Sequence, residues 1–194
     1  MLFVKFKILS STHYNDFQKL FYHMNDIRKF SETYEVEELD LENLAWDDMS
    51  DEEMKEVFDK LDGTYQKKQE EERFRKYIPN YANAYLLDYL KSIDHDINGN
   101  LIDKDIMSIW NYLEFGFEVN MDSIKKLNDE LGIVKFSTAN YPFGGLDRFI
   151  ITLKSFNLIP KECFNGFSIK EFDWKSDFEF ITTESPEKTK DYLS

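Results

Sequence analysis

The chain has 194 residues, enough for one domain with a sizeable core, and its 42% hydrophobic and 16% aromatic content excludes a disordered chain. Its formal charge is −14, from 38 acidic against 24 basic side chains, which argues against a nucleic-acid groove or an anionic membrane surface and favours a basic partner. One cysteine excludes an internal disulfide and a cysteine-rich zinc site, and no leader-like or membrane-length apolar run occurs, so a cytoplasmic chain is expected.

Residues 4–8, VKFKI, alternate apolar and basic and predict a strand that buries Val4, Phe6 and Ile8. Ser11 or Thr12 is placed to cap a helix in which Tyr14, Phe17, Leu20, Phe21, Met24 and Ile27 recur at helical spacing. Ser50 opens a second helix: it forms a capping box with Glu53, Met49 and Met54 occupy the staple positions, and Met54, Val57, Phe58 and Leu61 make one apolar stripe that Gly63 ends. The following segment, to Ile78, predicts a polar, solvent-crossing helix with Lys67 and Glu71, Lys68 and Glu72, Glu71 and Arg75, and Glu72 and Lys76 each four apart. Pro79 breaks it, and YANAYLLDYLKSI, apolar nearly all round, reads as a central buried helix.

Ile106, Ile109, Trp110 and Leu113 mark another helix; Met121 to Leu131 is expected as a further one closing on Gly132, with IVKFS as a strand after it. A helix with Leu146, Phe149, Ile150, Leu153 and Phe156 inward follows, then the strands FSIKEFDW, after an Asn165-Gly166 turn, and DFEFIT. The expected fold is α+β, with a mostly helical centre and a small sheet built from N-terminal and C-terminal strands. The expected organisation is one domain over residues 1–184 with a frayed tail over 185–194.

Charge is not spread evenly. Between Glu35 and Asp62, thirteen acidic residues face only Lys55 and Lys60, a net of −11. Ordered rows of carboxylates imitate a phosphate track or cap a basic groove, and they steer fast association with a basic protein. The candidate partner-binding residues are Glu35, Glu37, Glu38, Asp40, Glu42, Asp47, Asp48, Glu52 and Glu56, with Trp46 and Tyr34 as aromatic anchors. A solvated face kept charged for solubility is the alternative.

The loop DHDINGNLIDKD at 94–105 sets oxygen-bearing residues at every second position around a glycine: Asp94, Asp96, Asn98, Gly99, then the Asn100 carbonyl. It resembles the calcium loop of the EF-hand family. That resemblance implies a Ca2+ or Mg2+ ion held by Asp94, Asp96, Asn98, Asn100 and Asp105. Ile102 stands where a side-chain oxygen is usual and Asp105 replaces the usual glutamate, which favours weaker calcium binding or magnesium. Asn98-Gly99 is equally the signal of a tight turn with no ion.

Enzyme signatures are sparse: no G-x-S-x-G, H-E-x-x-H or Walker pattern occurs. The Gly pair in YPFGGLDR (141–148) lacks the spacing of a phosphate loop and reads as a tight turn before a helix. His13 and His23 fall about 80° apart around one helix and read as surface or boundary residues, and Cys163 as a structural thiol. The chain is similar in size, charge and lack of catalytic motifs to small acidic bacterial immunity proteins. The expectation is a non-enzymatic inhibitor, requiring no cofactor, that binds a basic protein such as a nuclease toxin and has no direct nucleic-acid or membrane partner. The alternatives are a calcium- or magnesium-linked binding protein, a DNA-mimic antagonist of a nucleic-acid-binding protein, and an enzyme using carboxylates near the YPFGG loop.

Overall fold

Strand β1 (Leu2–Ile8) is first in the chain and interior in the sheet, and Leu2, Phe3 and Val4 are buried in succession, so its first half is covered on both faces. The computed structural model describes residues 1–30, 49–61, 64–93, 105–138 and 146–194. The other strands are β2 (Asn120–Lys126), β3 (Leu131–Ser137), β4 (Leu158–Phe164), β5 (Ile169–Trp174) and β6 (Phe180–Glu184). They form one antiparallel sheet in the order β2-β3-β1-β4-β5-β6. The fold is α+β, with strands from both ends sharing the sheet. The sheet is larger than expected, since β2 and β3 add a hairpin from the middle of the chain.

That hairpin replaces the helix expected from Met121 to Leu131. Met121 and Ile124 stand three apart, as on a helix face, yet both are buried from a strand, because a bulge between Met121 and Ser123 inserts one residue and restores the alternation. Asn128 Oδ1 accepts the backbone N–H groups of Glu130 and Leu131, both at 2.9 Å, and so closes the turn. Strand β4 also escapes the sequence pattern. Pro160 opposes Phe6 at a register shift, where a missing N–H is tolerated.

The helices are α1 (Ser11–Phe30), α2 (Asp51–Leu61), α3 (Thr64–Tyr77), α4 (Asn80–Ser92), α5 (Ile106–Asn111), α6 (Leu146–Ser155) and α7 (Pro186–Leu193). In α1, Ser10 rather than Ser11 or Thr12 supplies the cap, its Oγ accepting from His13 N at 3.4 Å. The polar α3 does not simply cross solvent: Phe74 and, just beyond its end, Ile78 enter the core. Helix α4 is buried on one face only, through Ala82, Leu86 and Leu90, and leaves Ala84, Leu87 and Asp88 exposed. Within residues 185–194, expected as a frayed tail, Pro186–Leu193 form α7.

Val4 and Phe6 point to the face covered by α1, where Phe6 meets Tyr14 at 6.3 Å between ring centroids. Phe3 points to the opposite face, against Tyr192 of α7. The core between sheet and helices is rich in rings: Phe117 stacks on Phe149 at 4.8 Å, and Phe17 meets Phe156 edge-on at 5.4 Å. Gly132, across from Phe6, is required here, because a Cβ would stand 2.4 Å from the Phe6 ring.

Candidate functional site

Helix α2 carries the described part of the acidic segment. Its start is the expected capping box: Ser50 N and Oγ both donate to Glu53 Oε2 at 2.8 Å, and Glu53 N donates to Ser50 Oγ at 3.3 Å. These bonds hold the Glu53 carboxyl below its ordinary range. Val57 is buried, whereas Asp51, Glu52, Glu53 and Glu56 are exposed. Phe58, expected in the apolar stripe, is 57% exposed. Glu52 and Glu56, one turn apart, therefore lie on the outward face, and no ion pair among the described residues involves Asp51, Glu52 or Glu56. Tyr34, Glu35, Glu37, Glu38, Asp40, Glu42, Trp46, Asp47 and Asp48 lie outside the described residues.

Of the candidate cation ligands, Asp94, Asp96, Asn98 and Asn100 also lie outside the described residues. Asp105 is the N-cap of α5, its Oδ1 accepting from Met107 N at 3.1 Å. Among the described residues, no three His, Cys, Asp or Glu side chains gather as a metal site. Of YPFGGLDR, Leu146, Asp147 and Arg148 are described. Arg148 lies over the Tyr112 ring at 5.6 Å, and burial raises the Asp147 carboxyl.

The strongest electrostatic centre was not legible in the sequence. A π-helical turn at Tyr112–Gly116, closed by Phe117 N donating to Tyr112 O at 2.7 Å, places Glu114 where it has no exposed surface. Arg73 of α3 grips it with two bonds, Nε to Oε1 at 2.9 Å and a terminal nitrogen to Oε2 at 3.0 Å. His23 of α1 donates from Nε2 to Oε1 at 2.7 Å. Burial alone would raise the Glu114 carboxyl; the His23 and Arg73 hydrogen bonds and charges outweigh it and hold the group below its ordinary range. Arg28 donates to three carbonyls around the turn, of Leu113 at 2.7 Å, Val119 at 2.9 Å and Glu114 at 3.2 Å. Burial pulls its guanidinium down to about 10, partly offset by Tyr112. His23, read as a surface or boundary residue, is largely enclosed, parallel to Tyr77 at 4.1 Å and to Trp110 at 5.4 Å. With both carboxylate oxygens engaged, this centre ties α1 and α3 to the turn and offers no free base.

A second acid sits on the other face of the sheet. Glu162 receives Lys5 at Oε1 and Lys188 at Oε2, the latter at 2.7 Å. Burial would raise its carboxyl, and the bonds from Lys188 and Lys5 reverse the shift. Elsewhere, Lys154 of α6 stands 3.9 Å over the Trp174 ring and donates to the carbonyls of Ser176 (3.1 Å) and Asp177 (2.6 Å), fixing the β5–β6 turn. His13 stacks on Tyr81 at 4.2 Å and receives the Asn157 amide at Nδ1. Cys163 is buried and its thiol is pushed up to about 11 by burial, in keeping with a structural thiol. No helix among the described residues is long and apolar enough to cross a membrane. No family model, curated protein or solved structure matches the chain.

Proposed function

We propose that the protein is a non-enzymatic, immunity-type inhibitor that acts in the cytoplasm and neutralises a basic effector, such as a nuclease toxin, through the acidic face formed by α2 and the segment preceding it. The observation that supports this most is the state of the α2 carboxylates. A helix fixed by a capping box and by the buried Val57 presents Asp51, Glu52 and Glu56 outward without ion pairs among the described residues, beside an exposed Phe58. A solvated face of this kind carries uncompensated charge on a rigid support, which is what fast, steered docking to a cationic surface requires. The sequence extends the same charge through Asp47 and Asp48 to Glu35.

The test is binding to purified basic nuclease toxins, including any encoded beside this protein's gene, measured by calorimetry at low and physiological salt. Reversal of Asp47, Asp48, Glu52 and Glu56 to lysine is expected to weaken binding by about 100-fold or more and to flatten its salt dependence. Undiminished affinity in that variant, or nuclease activity that persists with the wild-type protein in excess, overturns the proposal.

A further inference from the structure

The sheet face opposite the helical core is not uniform. At one end α7 covers it, with Tyr192 on the rings of Phe3 and Phe164 and Lys188 paired with Glu162 and Glu171. The other end, formed by β2, β3 and the second half of β1, is basic. The register sets Lys125, Ile133 and Lys5 in one cross-strand row, Ser123, Lys135 and Phe3 in the next, and Leu131 beside Lys7 in a third. Lys7 and Lys125 are exposed and Lys135 is half-buried. Lys5 is taken by Glu162, whereas Lys7, Lys125 and Lys135 make no ion pair among the described residues. Of the acids at the margin, Asp122 accepts from Ser137 Oγ at 3.2 Å, and Asp129 and Glu130 belong to the β2–β3 turn. In a chain of net charge −14, this face is a local reversal of sign.

The complement of such a surface is present on the same chain. Helix α2 carries five acids against two lysines, and Asp51, Glu52 and Glu56 are exposed with no ion pair among the described residues. Lys55, exposed beside them, lowers that charge without cancelling it. Within one molecule the two surfaces are kept apart. Helix α2 rests on α3, α3 on α1, and α1 on the sheet face that bears Phe6, so α2 stands on the far side of the sheet from Lys125. The spacings nevertheless correspond. Glu52 and Glu56, one turn apart, have Cβ atoms about 6 Å apart, and Lys125 and Lys135, diagonal across β2 and β3, about 7–8 Å.

We propose that the lysine face of one copy docks helix α2 of a second copy, setting Glu52 and Glu56 against Lys125 and Lys135, with the exposed Leu131 adding apolar surface beside them. A second copy is favoured over a nucleic acid because the overall charge repels a polyanion, and over an unrelated acidic protein because both halves of the contact are already carried, in equal number, by this chain. The contact is heterologous, each copy giving α2 and receiving on its sheet. Repulsion between whole chains opposes it at low salt, but at about 0.15 M the screening length of about 8 Å removes most of that repulsion and spares the facing pairs. The inference uses the α2 carboxylates without resting on the inhibitor role: no effector is required, and an effector bound to α2 competes with the second copy.

Sedimentation velocity on the full chain tests this, with protein raised to about 1 mM because exposed ion pairs bind weakly. The average mass is expected to rise with concentration at about 0.15 M salt and to return to that of the monomer at about 1 M. Lys125→Glu/Lys135→Glu and Glu52→Lys/Glu56→Lys are each expected to remain monomeric. An equimolar mixture of the two is expected to associate as wild type does, because it again presents opposite charges at both contacts. A wild-type chain that stays monomeric, association that survives in either variant, or a mixture that stays monomeric overturns the proposal. Carbodiimide coupling on a mixture of isotope-labelled and unlabelled wild type, which needs no variant, is expected to join Lys125 or Lys135 of one copy to Glu52 or Glu56 of another. Coupling of these residues only within single copies, or none at all, also overturns it.

Discussion

Replacing Arg73 with methionine strips the guanidinium from Glu114 while keeping an unbranched stem. The change removes two charge-assisted hydrogen bonds, at 2.9 and 3.0 Å, from a carboxylate with no exposed surface. Breaking a fully buried pair costs about 3–5 kcal/mol. Arg73 is itself 27% exposed and His23 stays at 2.7 Å, so the expected loss is smaller, about 2–3 kcal/mol. In a chain of this length that lowers Tm by about 5–10 °C. Urea unfolding at pH 7 followed by tryptophan fluorescence measures it, Trp110 being parallel to His23 in the same cluster. Adding Glu114→Gln removes the stranded charge and is expected to return about 1 kcal/mol relative to the sum of the single changes. A loss under about 1 kcal/mol for Arg73→Met, or strict additivity in the double variant, would refute the account of Glu114 as a charge held by its partners.

Gly132→Ala is expected to cost about 2–3 kcal/mol, because the new methyl meets the Phe6 ring at 2.4 Å; Phe6→Leu should return part of it, and urea midpoints for the two variants decide. Acid lability follows from Glu114 and Glu162, both held below the ordinary glutamate value of 4.5. A carboxyl depressed in the folded state stabilises it above the unfolded value and loses that contribution as pH falls, so the urea midpoint should fall steeply below pH 4.5 and Glu162→Gln should flatten part of the fall. A midpoint unchanged between about pH 5 and 3 contradicts this. Glu52→Lys/Glu56→Lys, which touches no ion pair among the described residues, should leave Tm within about 2 °C of wild type, and a larger drop would show that these acids support the fold.

The elements readable from sequence are those whose evidence is local. Helix α1 shows its buried face as six apolar residues at helical spacing, and α2 shows its start as a capping box, since both signals lie within a few residues of the backbone they organise. Strand β2 was hidden because a bulge breaks the period of two and mimics a helical spacing of three. Strand β4 was hidden because Pro160 argues against a strand unless the register shift beside it is known, and that shift shows only in the pairing with β1, more than 150 residues away in the chain. Helix α7 has no buried residue, so its own pattern is that of a tail; its order comes from Phe3, Phe164 and Glu162, which no local window contains.

The same distinction separates the charges that build the fold from those left for another molecule. Counting acids per segment singles out 35–62, where carboxylates crowd together, and passes over Glu114 and Glu162, each a single acid among apolar neighbours in YLEFGF and IPKECF. A lone acid in such surroundings is the signal that was available, because burying a charge is tolerated only when partners wait for it. Those partners lie 26 to 157 residues away, at Arg73, His23, Lys188 and Lys5, so the signal points to burial without saying by whom. The crowded acids of α2 behave in the opposite way: a local cap and one buried valine order the helix, and Asp51, Glu52 and Glu56 do nothing for the core. Packing like charges at one turn's spacing costs a helix stability. Glu52, in the first turn, recovers part of that cost from the positive end of the helix, whereas Glu56 recovers none inside the described fold, which is the physical ground for assigning its charge to an interface rather than to the protein's own stability.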